Sequence, residues 1–345
     1  MPLIILENIS LAPLTTMRTG GCARFFVRIE NIDNLREVIL WAQERNIPIF
    51  VLGGGSNTLI SDDGFSGLVI KIEIKGIIYN HINESIVRVI SGAGEVWDNL
   101  VTDVVNNKLW GIENLSYIPG SVGGGVVQNI GAYGMEISHV VYSVDVFVPE
   151  TMCIKTFSRD ECLFEYRNSL FKNNKKFIIV NVSFDLTLNG ISCLTYRDVK
   201  EYFLESGMGV CTLMDIRDAI ILIRREKFPG PKSGIGTAGS FFKNPIITIG
   251  KFEELKKKFP DIKGILQNNN MVKLAAAWLL DHVGNWRGFR DGDVGVYKNQ
   301  ALVLVNYGTA QTSEILSLAN KIKSDIKEKI NVELEEEVVI VNSKF

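Results

Sequence analysis

The spacing of apolar residues predicts both helices and strands along the chain. Leu35, Val38, Ile39 and Ala42 recur at helical spacing and predict a helix over 31–46. Similar patterns predict strands at 49–52, 68–72, 86–90, 140–148, 177–188, 301–305 and 331–341, and further helices at 96–105, 213–227, 271–282 and 312–329. We therefore expect a protein of mixed helix and strand content.

A break at Phe228-Pro229-Gly230-Pro231 ends the predicted helix 213–227 and is typical of a domain boundary. The chain has 345 residues, which is long for one core and indicates two or three domains.

The predicted strand 49–52 leads directly into Gly53-Gly54-Gly55-Ser56-Asn57. A glycine loop after a strand can offer backbone N–H groups to a phosphate. A Rossmann fingerprint would have glycine at position 58 and then a helix, whereas Thr58 stands there and an extended segment follows. We interpret the loop as a nest of amides with no helix behind it; a plain tight turn is the alternative.

A second glycine-rich loop covers 118–134 and reads IPGSVGGGVVQNIGAYG. Glycine loses more conformational entropy than other residues when it becomes ordered. A cluster of this kind therefore indicates close approach of the backbone to something flat or highly charged, unless the loop is merely flexible. Two such loops suit a long dinucleotide.

The composition narrows the class of protein further. The formal net charge is -2, so there is no basic excess to bind nucleic acid. The five cysteines form no CxxC pair and the three histidines share no metal-ligand spacing, so we expect free thiols and no metal site. The N-terminus has no basic n-region, and no apolar run is long enough to cross a bilayer. We expect a cytoplasmic protein without a membrane partner.

Several motifs resemble one family in the family's own order. They are GGGSN at 53–57, the loop at 118–134, FEYRNSLFK at 164–172, AGSFFKNP at 238–245 and LEEEVVI at 334–340. The chain resembles the UDP-N-acetylenolpyruvoylglucosamine reductases, and its long segment after Asn244 resembles the longer of their two subtypes. The resemblance implies an α+β fold: a two-lobed FAD-binding unit of the vanillyl-alcohol-oxidase type plus a C-terminal α+β substrate-binding domain.

The resemblance also implies domains and chemistry. Lobe 1 would cover 1–72, lobe 2 would cover 73–229 and the substrate-binding domain 230–329, with 330–345 returning to the active site. NADPH would reduce FAD, which would pass hydride to the enolpyruvyl group of a UDP-sugar to give UDP-N-acetylmuramate for peptidoglycan. We expect a monomer.

Site residues follow from the same matches. Cofactor contacts are expected from Gly53, Gly54, Gly55, Ser56, Asn57, Thr58, Gly120, Ser121, Gly123, Gly124, Asn129 and Gly131. Substrate contacts are expected from Tyr133, Tyr196, Lys227, Asn244 and Gln300. Lys232 is an alternative to Lys227, and Tyr133 could instead be a packing residue.

The chemistry requires three groups: a cation for the substrate carboxylate, an acid that stabilises an enolic intermediate, and a proton for the neighbouring carbon. Arg167 suits the first because its planar fork matches a carboxylate. Glu337, beside an apolar run, suits the second, and the resemblance assigns the third to Ser240. Each residue also has a purely structural alternative. Arg167 could form a surface salt bridge, Glu337 could belong to a solvated acidic face, and Ser240 could be a small residue in a turn.

The sequence departs from the family in two respects. The longer subtype places a tyrosine on a loop that closes over the nucleotide, but no tyrosine occurs between Asn244 and Tyr297. Val339 also replaces a cation that often follows the family's glutamate. Closure over the nucleotide must use another residue, for which segment 258–270 is a candidate, or else be weaker.

Two other functions fit parts of the sequence. An FAD-dependent oxidase or dehydrogenase of the same fold often tethers its flavin to a histidine near the first glycine loop, and no histidine lies between residues 1 and 80. A flavin-binding protein without turnover would need the glycine loops but not the set Arg167, Ser240 and Glu337.

The two glycine loops and the lack of an N-terminal histidine predict a bound, non-covalent flavin. The purified protein should be yellow, and heat or acid should release FAD into the supernatant, where its absorbance is measured. Flavin that stays with the precipitate would indicate a covalent link and favour the oxidase. A colourless protein that takes up no FAD would contradict the whole interpretation.

Overall fold

A computed structural model gives the fold and describes residues 3–190, 193–207, 212–267 and 270–343. The strands are β1 Leu6–Ser10, β2 Cys22–Ile29, β3 Ile49–Leu52, β4 Thr58–Ile60, β5 Phe65–Ile72, β6 Ile77–His81, β7 Ile86–Gly92, β8 Gly131–Ala132, β9 Met135–Glu136, β10 Val141–Val148, β11 Cys153–Ser158, β12 Ile178–Thr187, β13 Gly236–Ser240, β14 Ile246–Thr248, β15 Gly264–Leu266, β16 Met271–Leu274, β17 Arg290–Asp291, β18 Val294–Val296, β19 Val303–Asn306 and β20 Val339–Val341.

The helices are α1 Ile32–Glu44, α2 Trp97–Asn106, α3 Val122–Gln128, α4 Leu170–Asn173, α5 Arg197–Ser206, α6 Leu213–Lys227, α7 Ile249–Lys258, α8 Ala276–Trp278 and α9 Thr312–Ile330. A π-helical turn, Leu279–Val283, follows α8. Short 3-10 turns occur at Ala12–Leu14, Glu113–Leu115, Ile137–His139 and Asp160–Cys162. Within the described ranges, no helix is both long enough and apolar enough to cross a lipid bilayer.

The first sheet, ordered β1-β2-β5-β3, carries the first glycine loop. Strands β2 and β3 both pair with β5 in parallel, and β1 pairs with β2 antiparallel. Helix α1 lies on this sheet and begins at Asn31, whose side chain accepts the Asn34 N–H. The loop starts at the carboxyl end of β3, the end of a parallel strand where ligands commonly bind.

The second sheet, ordered β11-β10-β12-β7-β6, is antiparallel throughout. Trp97 at the start of α2 is 1% exposed and lies edge-on to Phe184 of β12, with ring centroids 6.1 Å apart. Its Nε1–H donates to the Leu115 carbonyl at 2.8 Å, so the buried indole has its hydrogen bond. Buried residues of both sheets form one continuous core.

The C-terminal part has a core of its own. Sheet β13-β19-β18-β17 and the small sheet β14-β16-β15 supply its strands. Helix α9 covers the larger sheet because its apolar positions, among them Ile315, Ala319 and Ile322, recur at helical spacing and are fully buried.

The end of the chain then returns to the first part. Strand β20 pairs in parallel with β4, with Val339 opposite Thr58. Just before it, Glu336 bridges to Phe242 in an antiparallel arrangement. The segment around Glu337 therefore lies between the residues that follow the first glycine loop and those that follow β13.

The predicted helices at 31–46, 96–105, 213–227 and 312–329 are confirmed to within a few residues, as are the strands at 49–52, 86–90, 140–148 and 177–188. The strands predicted at 68–72 and 301–305 are also present, as Phe65–Ile72 and Val303–Asn306. The break after α6 lies where it was expected, with Phe228 as the helix cap.

Three predictions are wrong in part. The helix expected at 271–282 forms only from Ala276 on, as α8 and the π-helical turn, because Met271–Leu274 finds strand partners on both sides, in β14 and β15. Of the strand expected at 331–341, only Val339–Val341 forms, since only that part lies beside β4. The stretch 118–134, expected to be a loop, contains helix α3.

A buried ion pair joins helices α2 and α6. Arg217 makes two hydrogen bonds to the Asp98 carboxylate, at 2.7 and 3.0 Å, and a third to the Thr102 hydroxyl at 2.7 Å. The Arg217 side chain is 9% exposed and that of Asp98 is 26% exposed. Asp98 also accepts the Tyr117 N–H, so the pair anchors the approach to the second glycine loop.

Arg217→Ala should lower the free energy of unfolding by about 2–3 kcal/mol. Breaking a buried pair typically costs about 3–5 kcal/mol, and the partial exposure of Asp98 reduces that. Arg36→Ala, which breaks the exposed pair with Asp33, is the matched control and should cost under about 0.5 kcal/mol. Urea unfolding followed by circular dichroism measures both. Equal losses in the two variants would contradict this role of Arg217.

Candidate active site

The first glycine loop has unused backbone donors. Among the residues that the structure describes, no acceptor is found for the N–H groups of 53–57. The loop is nevertheless held through its carbonyls: Lys71 Nζ donates to Gly53 O at 3.1 Å, and Thr16 N donates to Gly55 O at 3.0 Å. A fixed loop with free amides fits an anionic group such as the diphosphate of FAD.

The two glycine loops touch each other. A Cβ placed on Gly54 would lie 2.5 Å from Gly120 Cα, and one placed on Gly53 would lie 2.7 Å from Ser121 Oγ. The Ser56 hydroxyl donates to the Pro119 carbonyl at 2.9 Å. Contact between the two loops therefore requires glycine at position 54.

The segment after the first loop is extended, as expected, and forms β4. A short helix from the second glycine loop stands beside the first loop. Helix α3 begins after Ser121, whose hydroxyl accepts the Gly124 N–H at 3.3 Å. Gly123 lies against Ala93, with 3.0 Å from an added Cβ to the alanine Cβ. The start of α3 adds a small positive potential next to Gly53.

Two residues predicted to bind the cofactor form the turn after α3. Asn129 ends the helix with φ +46° and is 1% exposed. Its side chain donates to Glu136 and to the Glu165 carbonyl, and accepts the Ser138 N–H. Gly131 offers its carbonyl to Arg167 at 2.8 Å. In this structure both residues position protein groups, and contact with the cofactor stays a prediction for them.

Arg167 and Glu337 meet in the structure although they lie far apart in the sequence. Arg167 Nε is 2.7 Å from Glu337 Oε1, and the two side chains are 19% and 13% exposed. The contact is a close, largely buried ion pair. Arg167 has φ +55°, a conformation that is costly for a non-glycine residue. The fold therefore holds a guanidinium and a carboxylate side by side in a place that is largely shielded from solvent.

Ser240 lies beside this pair through the backbone. It ends β13 opposite Val303, and the next residue, Phe241, accepts the Glu337 N–H at 2.8 Å. The Asn57 side chain donates to Glu337 O at 3.2 Å. In the described part of the chain, the Ser240 hydroxyl has no hydrogen-bond partner and is free to donate elsewhere.

The residues predicted to hold the nucleotide lie in two places. Tyr133 and Tyr196 meet edge to face, with centroids 5.3 Å apart, and burial raises the pKa of Tyr133 to about 12. Lys227 forms an ion pair with Asp198. The turn containing Gln300 is attached to the end of α6, because Asn299 donates to the Glu226 carbonyl at 2.7 Å.

Asn244 connects these residues to the ion pair. Its side-chain oxygen accepts the Ala276 N–H at 2.9 Å, which holds the start of α8. Its N–H lies 3.4 Å from the hydroxyl of Tyr166, the residue before Arg167. Burial raises the pKa of Tyr166. Lys232 is exposed, whereas Lys227 is half-buried and paired with Asp198. Which of the two lysines matches the family's position stays a prediction.

Four residues near the site were not predicted from the sequence. Tyr166 and Lys172 lie within the FEYRNSLFK motif, and Gln128 lies within the second glycine loop, so the motifs contained the signal. Arg224 lies near the end of α6 and is half-buried. Its Nε donates to the Tyr117 carbonyl at 3.0 Å, and removal from solvent lowers its pKa. No metal-binding group of three or more His, Cys, Asp or Glu occurs within the described ranges.

The fold and this site define an FAD-dependent oxidoreductase. A family model described as "FAD binding domain" matches residues 23–156, which include both the free-amide loop and α3. A second model, "UDP-N-acetylenolpyruvoylglucosamine reductase, C-terminal domain", matches residues 231–341.

Whole-chain relatives agree with these matches. The chain is 42% identical to the UDP-N-acetylenolpyruvoylglucosamine reductase of Pseudomonas syringae pv. syringae (strain B728a), over 98% of this chain and 99% of that one. It is 40% identical to the enzyme of the same name from Flavobacterium johnsoniae, with the same coverage. The chain therefore belongs to the UDP-N-acetylenolpyruvoylglucosamine reductase family.

A solved structure supports the fold. The UDP-N-acetylenolpyruvylglucosamine reductase of Thermus caldophilus superposes with a TM-score of 0.66 at 23% identity, and covers 99% of both chains. The predicted fold class, an α+β FAD-binding unit followed by a C-terminal α+β domain, is confirmed.

Gly54→Ala should weaken FAD binding by about tenfold or more, which is about 1.4 kcal/mol. The added Cβ would meet Gly120 Cα at 2.5 Å, so one loop must move and its amides with it. Fluorescence quenching on titration of the apoprotein with FAD gives the affinity. Gly250→Ala is the control, since nothing lies within 4 Å of its Cβ position. Unchanged affinity in a folded Gly54→Ala protein would show that the loop does not bind the cofactor.

Proposed function

We propose that the protein catalyses the NADPH-dependent reduction of UDP-N-acetylglucosamine enolpyruvate to UDP-N-acetylmuramate, a step of peptidoglycan precursor synthesis. Family membership supports the reaction. The observation that carries the proposal is the pairing of Arg167 with Glu337 beside the Ser240 strand end, at 2.7 Å and largely buried. Bound FAD supplies the two-electron chemistry that links NADPH to the substrate.

In this proposal Arg167 binds the carboxylate of the enolpyruvyl group. Its Nε lies 2.7 Å from Glu337 Oε1 and its Nη2 donates to the Gly131 carbonyl at 2.8 Å, so the plane of the guanidinium is fixed. A guanidinium matches a carboxylate in a planar, two-bond geometry. Negative charge that develops on the substrate carboxylate would be stabilised by this cation more strongly than in water, because the site is shielded from solvent.

Glu337 and Ser240 complete the chemistry. Glu337 stabilises the enolic form of the substrate, and Ser240 gives a proton to the carbon next to the carboxylate. Support comes from their positions: Glu337 is fixed through its backbone by Asn57 and Phe241, and Ser240 precedes Phe241. A serine hydroxyl is a weak acid and needs cations nearby; Lys243 follows three residues later and is itself paired with Glu335.

The nucleotide diphosphate would lie toward Tyr196, Lys227, Asn244 and Gln300. Lys227 is held by Asp198, and the turn of Gln300 is attached to the end of the same helix, α6. Tyr133 contacts Tyr196 and would line the path between the two ends of the substrate. The loop that closes over the nucleotide, without the subtype's tyrosine, stays a prediction for segment 258–270, of which residues 268–269 lie outside the described part of the chain.

We keep the division of the chain as part of the proposal: lobe 1 over 1–72 with 330–345 returning, lobe 2 over 73–229 and a substrate-binding domain over 230–329. The separate C-terminal core and the pairing of β20 with β4 support it. A monomer that works in the cytoplasm is also proposed. Four described cysteines are free thiols, as expected in a reducing compartment.

Steady-state consumption of NADPH, with and without the enolpyruvyl UDP-sugar, tests the proposal. Consumption that depends on this substrate and yields UDP-N-acetylmuramate is the expected result. Turnover of alcohols or amines with oxygen instead would identify an oxidase. A flavoprotein that does neither would be a binding protein.

Ser240→Ala should separate the two halves of the cycle. Reduction of the flavin by NADPH needs no proton from Ser240 and should keep close to the parent rate. Reoxidation by the enolpyruvyl UDP-sugar should slow by about 10²–10⁴-fold, the usual cost of losing a general acid. Anaerobic stopped-flow absorbance of the flavin measures each half-reaction.

The control for this experiment is Ser233→Ala, which alters an exposed serine in the preceding turn. Both half-reactions should be unchanged in it. If both slow equally in Ser240→Ala, the cause is displaced flavin or misfolding. If the second half-reaction is unchanged, Ser240 is not the proton donor and Glu337 becomes the candidate.

A further inference from the structure

A chain of hydrogen bonds lies behind the Arg167–Glu337 pair, and the proposed chemistry does not use it. Lys172 Nζ donates to Gln128 Oε1 at 2.8 Å, and Gln128 Nε2 donates to Glu337 Oε1 at 3.4 Å. Lys172 also donates to the Arg167 carbonyl at 2.9 Å. Lys172 therefore contacts the backbone of Arg167 directly and the carboxylate of Glu337 through the Gln128 amide.

These hydrogen bonds fix the orientation of the Gln128 side-chain amide. A lysine ammonium can only donate, so the oxygen of the Gln128 amide must face Lys172 and its NH2 group must face Glu337. If the amide turned over, its oxygen would face the carboxylate, and two acceptors would meet in a largely buried place. Lys172 thus decides which end of Gln128 the carboxylate meets.

The lysine is itself held in place. Ser169 caps α4 by accepting the Lys172 N–H, and its hydroxyl donates to the Val127 carbonyl at 2.8 Å, which ties α4 to α3. Lys172 is half-buried. Its ammonium faces Lys243, Arg167 and Glu337, and burial followed by the nearby Lys243 lowers its pKa. Its attraction to Glu337 acts against both effects.

The two carboxylate oxygens of Glu337 differ in their contacts. Oε1 is contacted by both Arg167 and Gln128. Among the described residues, Oε2 has no hydrogen-bond partner. The chain of bonds therefore directs one oxygen to the protein and leaves the other for the substrate.

We propose that Lys172 is a positioning residue of the site, which acts through Gln128 and the Arg167 carbonyl to present Glu337 Oε2 and the Arg167 guanidinium to the substrate. This inference rests on the proposed function, since it assigns the two groups to the same substrate. It does not place Lys172 in contact with substrate or cofactor.

Lys172→Met removes the ammonium and keeps the length of the side chain. Reoxidation of the flavin by the enolpyruvyl UDP-sugar should slow roughly 10- to 100-fold, because a misplacement of about 1 Å in a site can cost about 10²-fold. FAD affinity and reduction by NADPH should stay within about twofold. Lys172→Arg restores a donor and should recover most of the rate, and Gln128→Leu should reproduce the loss. Lys176→Met, at a lysine 73% exposed and paired with Glu150, is the control.

Three outcomes would overturn the proposal. One is an unchanged second half-reaction in Lys172→Met. Another is equal slowing of both half-reactions with weaker FAD binding, which would indicate a merely structural residue. The last is a normal rate in Gln128→Leu beside a slow Lys172→Met, since the lysine would then act on the substrate directly.

A readout without turnover keeps this test independent of the proposed function. In protein labelled with ¹⁵N-glutamine, the side-chain NH2 signals of Gln128, assigned from their absence in Gln128→Leu, should shift in Lys172→Met and return in Lys172→Arg. This result is expected even if the parent enzyme fails to reduce the enolpyruvyl UDP-sugar, an outcome that would remove only the proposed function. Unmoved signals would remove the hydrogen-bond chain and the inference with it. If Lys172→Met does not fold, Lys172→Gln serves for both measurements.

Discussion

The largely buried ion pair between Arg167 and Glu337 is the interaction on which the arrangement of the site depends. Taking two charges out of water costs several kcal/mol for each ion, and their attraction compensates for this only with good geometry and further hydrogen bonds. Here the Gly131 carbonyl accepts a hydrogen bond from Arg167, and the Gln128 amide donates one to Glu337. These contacts hold the two charged groups in fixed positions.

The fold brings the two charges together from remote parts of the chain. Arg167 lies in the turn before α4, on the side of the second sheet, and Glu337 belongs to the last residues of the chain. The parallel pairing of β20 with β4 fixes the position of Glu337 next to Asn57, at the end of the first glycine loop. The bridge between Glu336 and Phe242 ties the same segment to the strand that carries Ser240. One short segment thus joins the cofactor loop, the cation and the proposed proton donor.

The glycine residues of the two loops show how packing between backbones can serve ligand binding indirectly. Gly54 and Gly120 are in such close contact that one of the two loops would have to move if a side chain stood at position 54. This contact leaves the amides of 53–57 pointing at no protein acceptor in the described part of the chain. Helix α3 starts at the same place, so the loops and the helix together make a site suited to negative charge.

Local features of the sequence determined most of the secondary structure and much of the chemistry. Helix α1, strand β3 and helix α9 follow from apolar periodicity, because each of them buries one regular face. The motifs contained Arg167, Ser240 and Glu337, and also Lys172 and Gln128, whose part was not recognised. Periodicity failed at 271–274, where strand partners on both sides outweighed a helical pattern, and at 331–338, where only an isolated bridge to Phe242 forms.

Only the tertiary structure decided which of these residues meet. Three contacts of the site join segments that are remote in the chain. They are the Arg167–Glu337 pair, the contact between Gly54 and Gly120, and the hydrogen bond from Lys172 that orients the Gln128 amide. A single sequence carries no local signal for such contacts, since they depend on the pairing of strands and on the path of the chain between them. Residue types could indicate that a carboxylate, a cation and a hydroxyl were available. Their common position was set by the return of the C-terminal strand to β4.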